Sequence, residues 1–133
     1  MSAKNILIVE DDPQISAALA TRLRAAGYDV LTAPGPHSGG RFAHLHRPDL
    51  IITDIMLPTM DGLTFVRKLQ HEGLADVPFI VITASFQDGL WESAMHLGAT
   101  AYFEKPYDGA RLMVAVNEIL NPCSSTSTER IQP

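Results

Sequence analysis

Five short apolar runs alternating with five amphipathic stretches predict a doubly wound α/β domain, with helices on both faces of a parallel sheet. Three observations carry that expectation. The runs and stretches alternate strictly, and right-handed crossovers then place helices on both sheet faces. Several runs are apolar at every position, as in strands buried on both sides. Turn and cap residues fall between the two kinds of segment.

The first strand is expected over Ile6 to Val9 and the first helix over Pro13 to Ala26. Asp12 is a good N-cap there, Pro13 suits the first helical position, and Gly27 stops the helix. Ile15, Ala18, Leu19 and Leu23 recur at three- and four-residue spacing, which gives that helix one apolar face. Tyr28 to Thr32 is the second strand. The second helix, near 37–47, is expected to be short or mobile. Gly39 and Gly40 would each cost it about 1 kcal/mol relative to alanine, and Pro34-Gly35-Pro36 forces a rigid turn ahead of it. Leu50 to Thr53, Phe79 to Thr83 and Ala101 to Phe103 complete the strands. Helices are expected near 63–72, 87–97 and 108–120, with Gly73 and Gly98 as C-terminal punctuation. One domain over residues 4–120 accounts for all of this. Residues 121–133 read as a disordered polar tail or the start of a linker.

Composition narrows the function. The chain is 46% hydrophobic and 19% charged, ordinary globular material, and its net charge of −5 argues against a basic nucleic-acid face. The single cysteine, Cys123, excludes an intramolecular disulfide. No apolar run approaches the roughly 20 residues needed to span a bilayer, and Met1 to Asn5 lacks a signal-peptide core. A cytoplasmic protein without membrane contact is the expectation.

The strand ends are where chemistry gathers. Glu10, Asp11 and Asp12 follow the first strand and Asp54 follows the third. In an open parallel sheet the C-terminal strand ends form the ligand crevice, so these carboxylates converge. Their repulsion calls for a hard divalent cation with oxygen ligands.

The motifs Ile6-Leu-Ile-Val-Glu10-Asp11-Asp12, Pro48-Asp49-Leu-Ile-Ile-Thr-Asp54-Ile-Met56-Leu-Pro58-Thr-Met60-Asp61-Gly62, Pro78-Phe-Ile-Val-Ile-Thr83-Ala84 and Leu97-Gly98-Ala99-Thr-Ala-Tyr102-Phe-Glu-Lys105-Pro106 stand in this order, at strand ends. With them the chain resembles the receiver domains of two-component response regulators over residues 4–120. The resemblance implies a flavodoxin-like (βα)5 sandwich with a five-stranded parallel sheet in the order 2-1-3-4-5. It implies that Asp54 accepts a phosphoryl group, a reaction open to a carboxylate once the charge on the transferring group is neutralised. Asp11 resembles the direct ligand of Mg²⁺, with Asp54 and the Met56 backbone carbonyl, and Glu10 a helper acting through water. Lys105 would pair with Asp54 and then with the phosphoryl group, aimed by a cis peptide to Pro106, an isomer that costs only about 0.5–1 kcal/mol before proline. Thr83 would donate a hydrogen bond, and small Ala84 would leave room for the donor. Thr83 and Tyr102 resemble the family's switch pair. Asp12 reads mainly as a helix cap.

The implied function is a phosphoacceptor switch, not a turnover enzyme. A histidine kinase or phosphotransfer protein would supply the phosphoryl group, and the output would pass through the fourth helix, fifth strand and fifth helix to an unknown downstream protein or missing output domain. Oligomeric state is expected to be monomer or phosphorylation-dependent dimer. Trp91 and Met95 lie on a helix stripe beside the sheet-facing Leu90, Ala94 and Leu97. Trp91 reads as core or as an apolar anchor on that signalling surface. The last helix has Arg111 and Glu118 but lacks a dense charge pattern, which points away from receivers joined to winged-helix DNA-binding regions. His44 and His46, two residues apart, fall on different helix faces and do not read as a metal pair. His71 and His96 read as helix-surface residues. Two rivals share the crevice. A haloacid-dehalogenase-type phosphatase would want a second Asp where Met56 stands, and a flavin or nucleotide binder would want a Gly- or Ser/Thr-rich loop where Glu10-Asp11-Asp12-Pro13 stands.

Overall fold

The computed structural model describes residues 3–122. The expected tail therefore lies outside the described residues except for Asn121 and Pro122, and Cys123 lies outside them too. Strands β1 (Asn5–Val9), β2 (Asp29–Ala33), β3 (Leu50–Asp54), β4 (Phe79–Thr83) and β5 (Ala101–Glu104) form one parallel sheet in the order β2-β1-β3-β4-β5. Helices α1 (Pro13–Ala25), α2 (Pro36–His46), α3 (Gly62–Leu69), α4 (Leu90–Leu97) and α5 (Gly109–Leu120) connect and flank it, and a π-type turn, Gln70–Leu74, extends α3. This is the expected (βα)5 sandwich.

Two apolar clusters flank the sheet because the strands are apolar on both sides. Ile6, Ile8, Leu50, Ile52, Ile80 and Ile82 point to one face, where Leu19 and Leu23 of α1 and Leu112 and Val116 of α5 cover them. Leu7, Val9, Ile51, Phe79 and Val81 point to the other, under α2, α3 and α4. Each such aliphatic side chain contributes about 1.5–3 kcal/mol on full burial, so the three central strands are fixed in register by both faces at once. Asp12 caps α1 by accepting from Gln14 N and Ile15 N at 2.9 and 3.3 Å. At the far end of the molecule the Tyr28 hydroxyl donates to Asn117 Oδ1 of α5 and accepts from Asn121 Nδ2 at 3.0 Å.

Two elements depart from expectation. Helix α2 is a regular eleven-residue helix, not a truncated one. Gly39 is buried, and a Cβ there would lie 3.1 Å from both Phe65 Cζ and Val9 Cγ2. The glycine that weakens the helix intrinsically lets its backbone settle directly on β1 and α3, and tertiary packing outweighs propensity. Helix α4 begins at Leu90, three residues later than expected, because Gly89 adopts φ 85° and cannot continue a right-handed helix.

Candidate functional site

Parallel pairing puts the C-terminal ends of β1 and β3 side by side. Val9 pairs with Thr53, so the next residues, Glu10 and Asp54, emerge as neighbours. Asp54 is 3% exposed and Glu10 is equally buried, while Asp11 faces solvent. Oxygens of Glu10, Asp11 and Asp54 all lie within 4.8 Å of one another. Thr83, one residue beyond Ile82, which pairs with Asp54, ends the adjacent strand. Four sequence-predicted groups, Glu10, Asp11, Asp54 and Lys105, are thus brought together, with Thr83 at the neighbouring strand end.

The buried charges are compensated. Lys105 follows β5 through a cis peptide to Pro106, and its ammonium donates to Asp54 Oδ2 and Glu10 Oε1, each at 2.7 Å. Asp54 Oδ1 accepts from the Met56 backbone N–H at 3.0 Å, and Glu10 Oε2 accepts from Asp12 N at 3.0 Å. Burial nonetheless pushes the Glu10 carboxyl up, outweighing the Lys105 and Asp12 hydrogen bonds, and the Asp54 charge adds to the rise. Burial alone would push the Lys105 ammonium down, but its bonds and charges with Asp54 and Glu10 prevail and hold it up. Asp11 makes no hydrogen bond or ion pair through its carboxylate among the described residues.

This donor set fits a hard divalent cation. It is all oxygen, anionic, and open to water on the Asp11 side, and Mg²⁺ takes one or two carboxylates and keeps several waters. Asp12 is outside the cluster and serves as the α1 cap. The Thr83 hydroxyl accepts from Ser85 N at 3.0 Å, which leaves its own proton free to be donated.

Three relationships escaped sequence reasoning. Glu10 grips Lys105 directly; the signal for it was the strand register that sets Glu10 beside Asp54. The Met56 N–H holds Asp54 through the backbone, which no side-chain pattern records. Gly62, the first residue of α3, packs so closely that a Cβ would lie 2.0 Å from the Asp54 carbonyl oxygen. Its position in an Asp-Gly pair just before the expected third helix was the available hint.

Of the residues expected to relay or display a signal, Thr83 ends β4 beside the pocket, Tyr102 lies on β5, and Trp91 and Met95 lie on α4. Tyr102 is half-buried against the cluster that α4 covers, and burial, with the charges of Glu104 and Glu92, pushes its hydroxyl up. Trp91 is 54% exposed, which sets aside the core reading, while Met95 is half-buried. Leu90, Ala94 and Leu97 face the sheet as expected. His71 and His96 are exposed, as expected.

The family model described as response regulator receiver domain matches residues 6–117. Among curated relatives, the DNA-binding dual master transcriptional regulator RpaA of Synechocystis is 38% identical over 118 residues, 86% of this chain and 48% of that protein. The alkaline phosphatase synthesis transcriptional regulatory protein PhoP of Bacillus subtilis is 33% identical over 88% of this chain and 48% of its own length. The chain spans about half the length of the curated relatives it matches. A response regulator receiver protein from Pseudomonas putida superposes with a TM-score of 0.85 at 27% identity, covering 89% of this chain and 98% of that one. The BeF3-activated receiver domain of Klebsiella pneumoniae RstA gives 0.81 at 29% identity, covering 89% and 99%. The transcriptional names of these relatives qualify the expectation of no nucleic-acid partner, since they describe proteins about twice as long.

Proposed function

This chain belongs to the response regulator receiver domain family of two-component systems, and from that premise we propose that Asp54 is its phosphoacceptor. One observation carries the assignment: a carboxylate buried at a strand end shares the Lys105 ammonium with Glu10 and lies within reach of the free Asp11 carboxylate.

A histidine kinase or phosphotransfer protein presents phosphohistidine at the crevice. An Asp54 carboxylate oxygen attacks phosphorus in line, the phosphorus–nitrogen bond breaks as the carboxylate–phosphorus bond forms, and the histidine leaves. Asp54 Oδ1 is held by the Met56 N–H, so the carboxylate is oriented before the donor arrives. Lys105 keeps its bond to Glu10 when Asp54 Oδ2 is consumed, so the ammonium stays positioned to stabilise charge on the phosphoryl oxygens. Thr83 donates its free hydroxyl proton to the same group. Asp11, Asp54 and the Met56 carbonyl would hold Mg²⁺, with Glu10 acting through water, and the ion would neutralise charge on the transferring group.

Water later cleaves the acyl phosphate, so the protein acts as a switch that resets and not as a turnover enzyme. Thr83 and Tyr102 form the relay, and the α4–β5–α5 surface, with Trp91 and Met95, is the output face toward a downstream protein or an output domain. A cytoplasmic location belongs to the same reading; no helix among the described residues is long and apolar enough to cross a membrane. Direct nucleic-acid contact by this domain is not part of it, given the net charge of −5.

Incubation with acetyl phosphate and Mg²⁺, followed by intact-mass analysis, is the test. One phosphoryl group is expected on the native protein and none on Asp54→Asn. Labelling that persists in Asp54→Asn, or steady turnover of a generic phosphate ester, would overturn the assignment.

A further inference from the structure

Gly39 is explained by close packing, but Gly40 is not. A Cβ on Gly40 would meet only the Phe65 ring edge, at 4.0 Å, an ordinary contact. A glycine inside a helix costs about 1 kcal/mol relative to alanine, and packing gives no return for it here. Gly40 instead lines an open groove of about 630 Å³ between α2 and α3. That volume lies in the usual range for small-molecule sites, about 300–1,000 Å³.

The groove has two chemical halves. Phe65, Leu69 and Met60 give it an apolar wall. Arg41 and Lys68 are the cations of the lining and Glu72 is its one carboxylate, so the lining keeps one positive charge in excess after Lys68 pairs with Glu72. Glu72 is already engaged by two partners, Lys68 Nζ at 2.8 Å and His44 Nε2 at 2.7 Å. Arg41 makes no ion pair among the described residues. An acidic chain thus presents a locally cationic, apolar-walled recess on the side of the sheet away from α1 and α5.

We infer that this groove binds a small amphipathic carboxylate, its hydrocarbon body against Phe65 and Leu69 and its anionic end at Arg41, with Lys68, now held by Glu72, as the neighbouring cation. Guanidinium pairs with carboxylate bidentately, so Arg41 is the natural anchor for the charge. The wall includes Thr59 and Met60 of the loop after β3, so an occupant would touch the segment that leads from Asp54 to α3. Binding itself does not depend on the role given to Asp54.

Amide spectra of nitrogen-15-labelled protein, titrated with 2-naphthoate and separately with 2-naphthamide, test this. Naphthoate is expected to give saturable shifts confined to residues 37–44 and 59–72, with the neutral amide bound at least about fivefold more weakly. Gly40→Leu fills the recess with a better helix former and should weaken naphthoate about tenfold or more. Arg41→Gln combined with Lys68→Gln, which leaves the core untouched, should bring naphthoate down to the affinity of the amide. No saturable shift in the millimolar range, shifts centred elsewhere, equal affinity for the two probes, or undiminished binding by either variant would overturn the inference.

Discussion

Replacing Lys105 with methionine removes one ammonium while keeping the length of the side chain. That ammonium sits 2.7 Å from Glu10 and 2.7 Å from Asp54, whose side chains are only 1% and 5% exposed. Without it, two largely buried carboxylates face each other with no cation between them. Stranding one partner of a buried pair costs about 3–5 kcal/mol. The Glu10 carboxyl, already raised by burial, takes up a proton when the cation is lost and recovers part of that cost. A net loss of about 2–4 kcal/mol at pH 8 follows, or roughly 10–15 °C in Tm for a domain of this size. The sign of the pH dependence is fixed by the directions of the two shifts. Lys105 is raised, so its contribution is complete below the ordinary lysine value and disappears only as pH climbs through its folded value. Glu10 is raised, so the folded state binds the extra proton and gains stability as pH falls through the Glu10 value. In Lys105→Met the second effect grows and the first is gone. The penalty should therefore be largest at pH 8 and shrink toward pH 5. Urea unfolding followed by circular dichroism in EDTA, at pH 5, 6.5 and 8, measures it. A penalty under about 1 kcal/mol at pH 8, or one that grows on acidification, would refute the argument from buried compensation.

Alanine at Gly39 and at Gly40 should move stability in opposite directions. Both gain about 1 kcal/mol of helix propensity, but the Gly39 Cβ meets Val9 and Phe65 at 3.1 Å and overpacking of about 1–3 kcal/mol outweighs the gain; urea midpoints of the same sign would contradict this. Gly62→Ala should lose about 3 kcal/mol or more, because the clash is with the Asp54 backbone and cannot be relieved by a side chain, and acetyl phosphate labelling should slow with it; a variant of native stability and rate counts against the close approach. Met56 is 58% exposed and Ser85 half-buried at the mouth of the crevice, so Met56→Asn and Ser85→Glu should change the lifetime of the phosphorylated form by altering water access. Unchanged dephosphorylation rates in both would remove these residues from that role.

The pocket was legible because its members sit immediately after strands, and in a parallel sheet strand ends are forced together. That topology alone gathers Glu10, Asp11 and Asp54, while Thr83 and Lys105 were singled out by the resemblance to receiver domains. Helix α2 was misjudged because the partners that repay Gly39, Val9 and Phe65, are remote in sequence and invisible to local propensity. The start of α4 was misplaced for the opposite reason: Gly89 is a local signal, but its left-handed backbone cannot be told from an ordinary helical glycine until the turn is seen. The Lys105–Glu10 bond lies between these cases, implied by register yet dependent on which rotamer a flexible lysine adopts.

The two side-chain bonds that join Tyr28 to Asn117 and Asn121 give the domain a fulcrum. Helix α5, capped by Asp108 just beyond the Lys105–Pro106 bend, runs from Gly109 to Leu120, roughly 18 Å for twelve residues. Its far end is clasped by these side-chain bonds to the residue before β2. If α5 moves as a rigid rod, its pocket end sweeps the longer arc while the point where the chain leaves it pivots in place. A displacement beside Lys105 would therefore reach that exit as a change of angle, not of position, unless the Tyr28 clasp lets go.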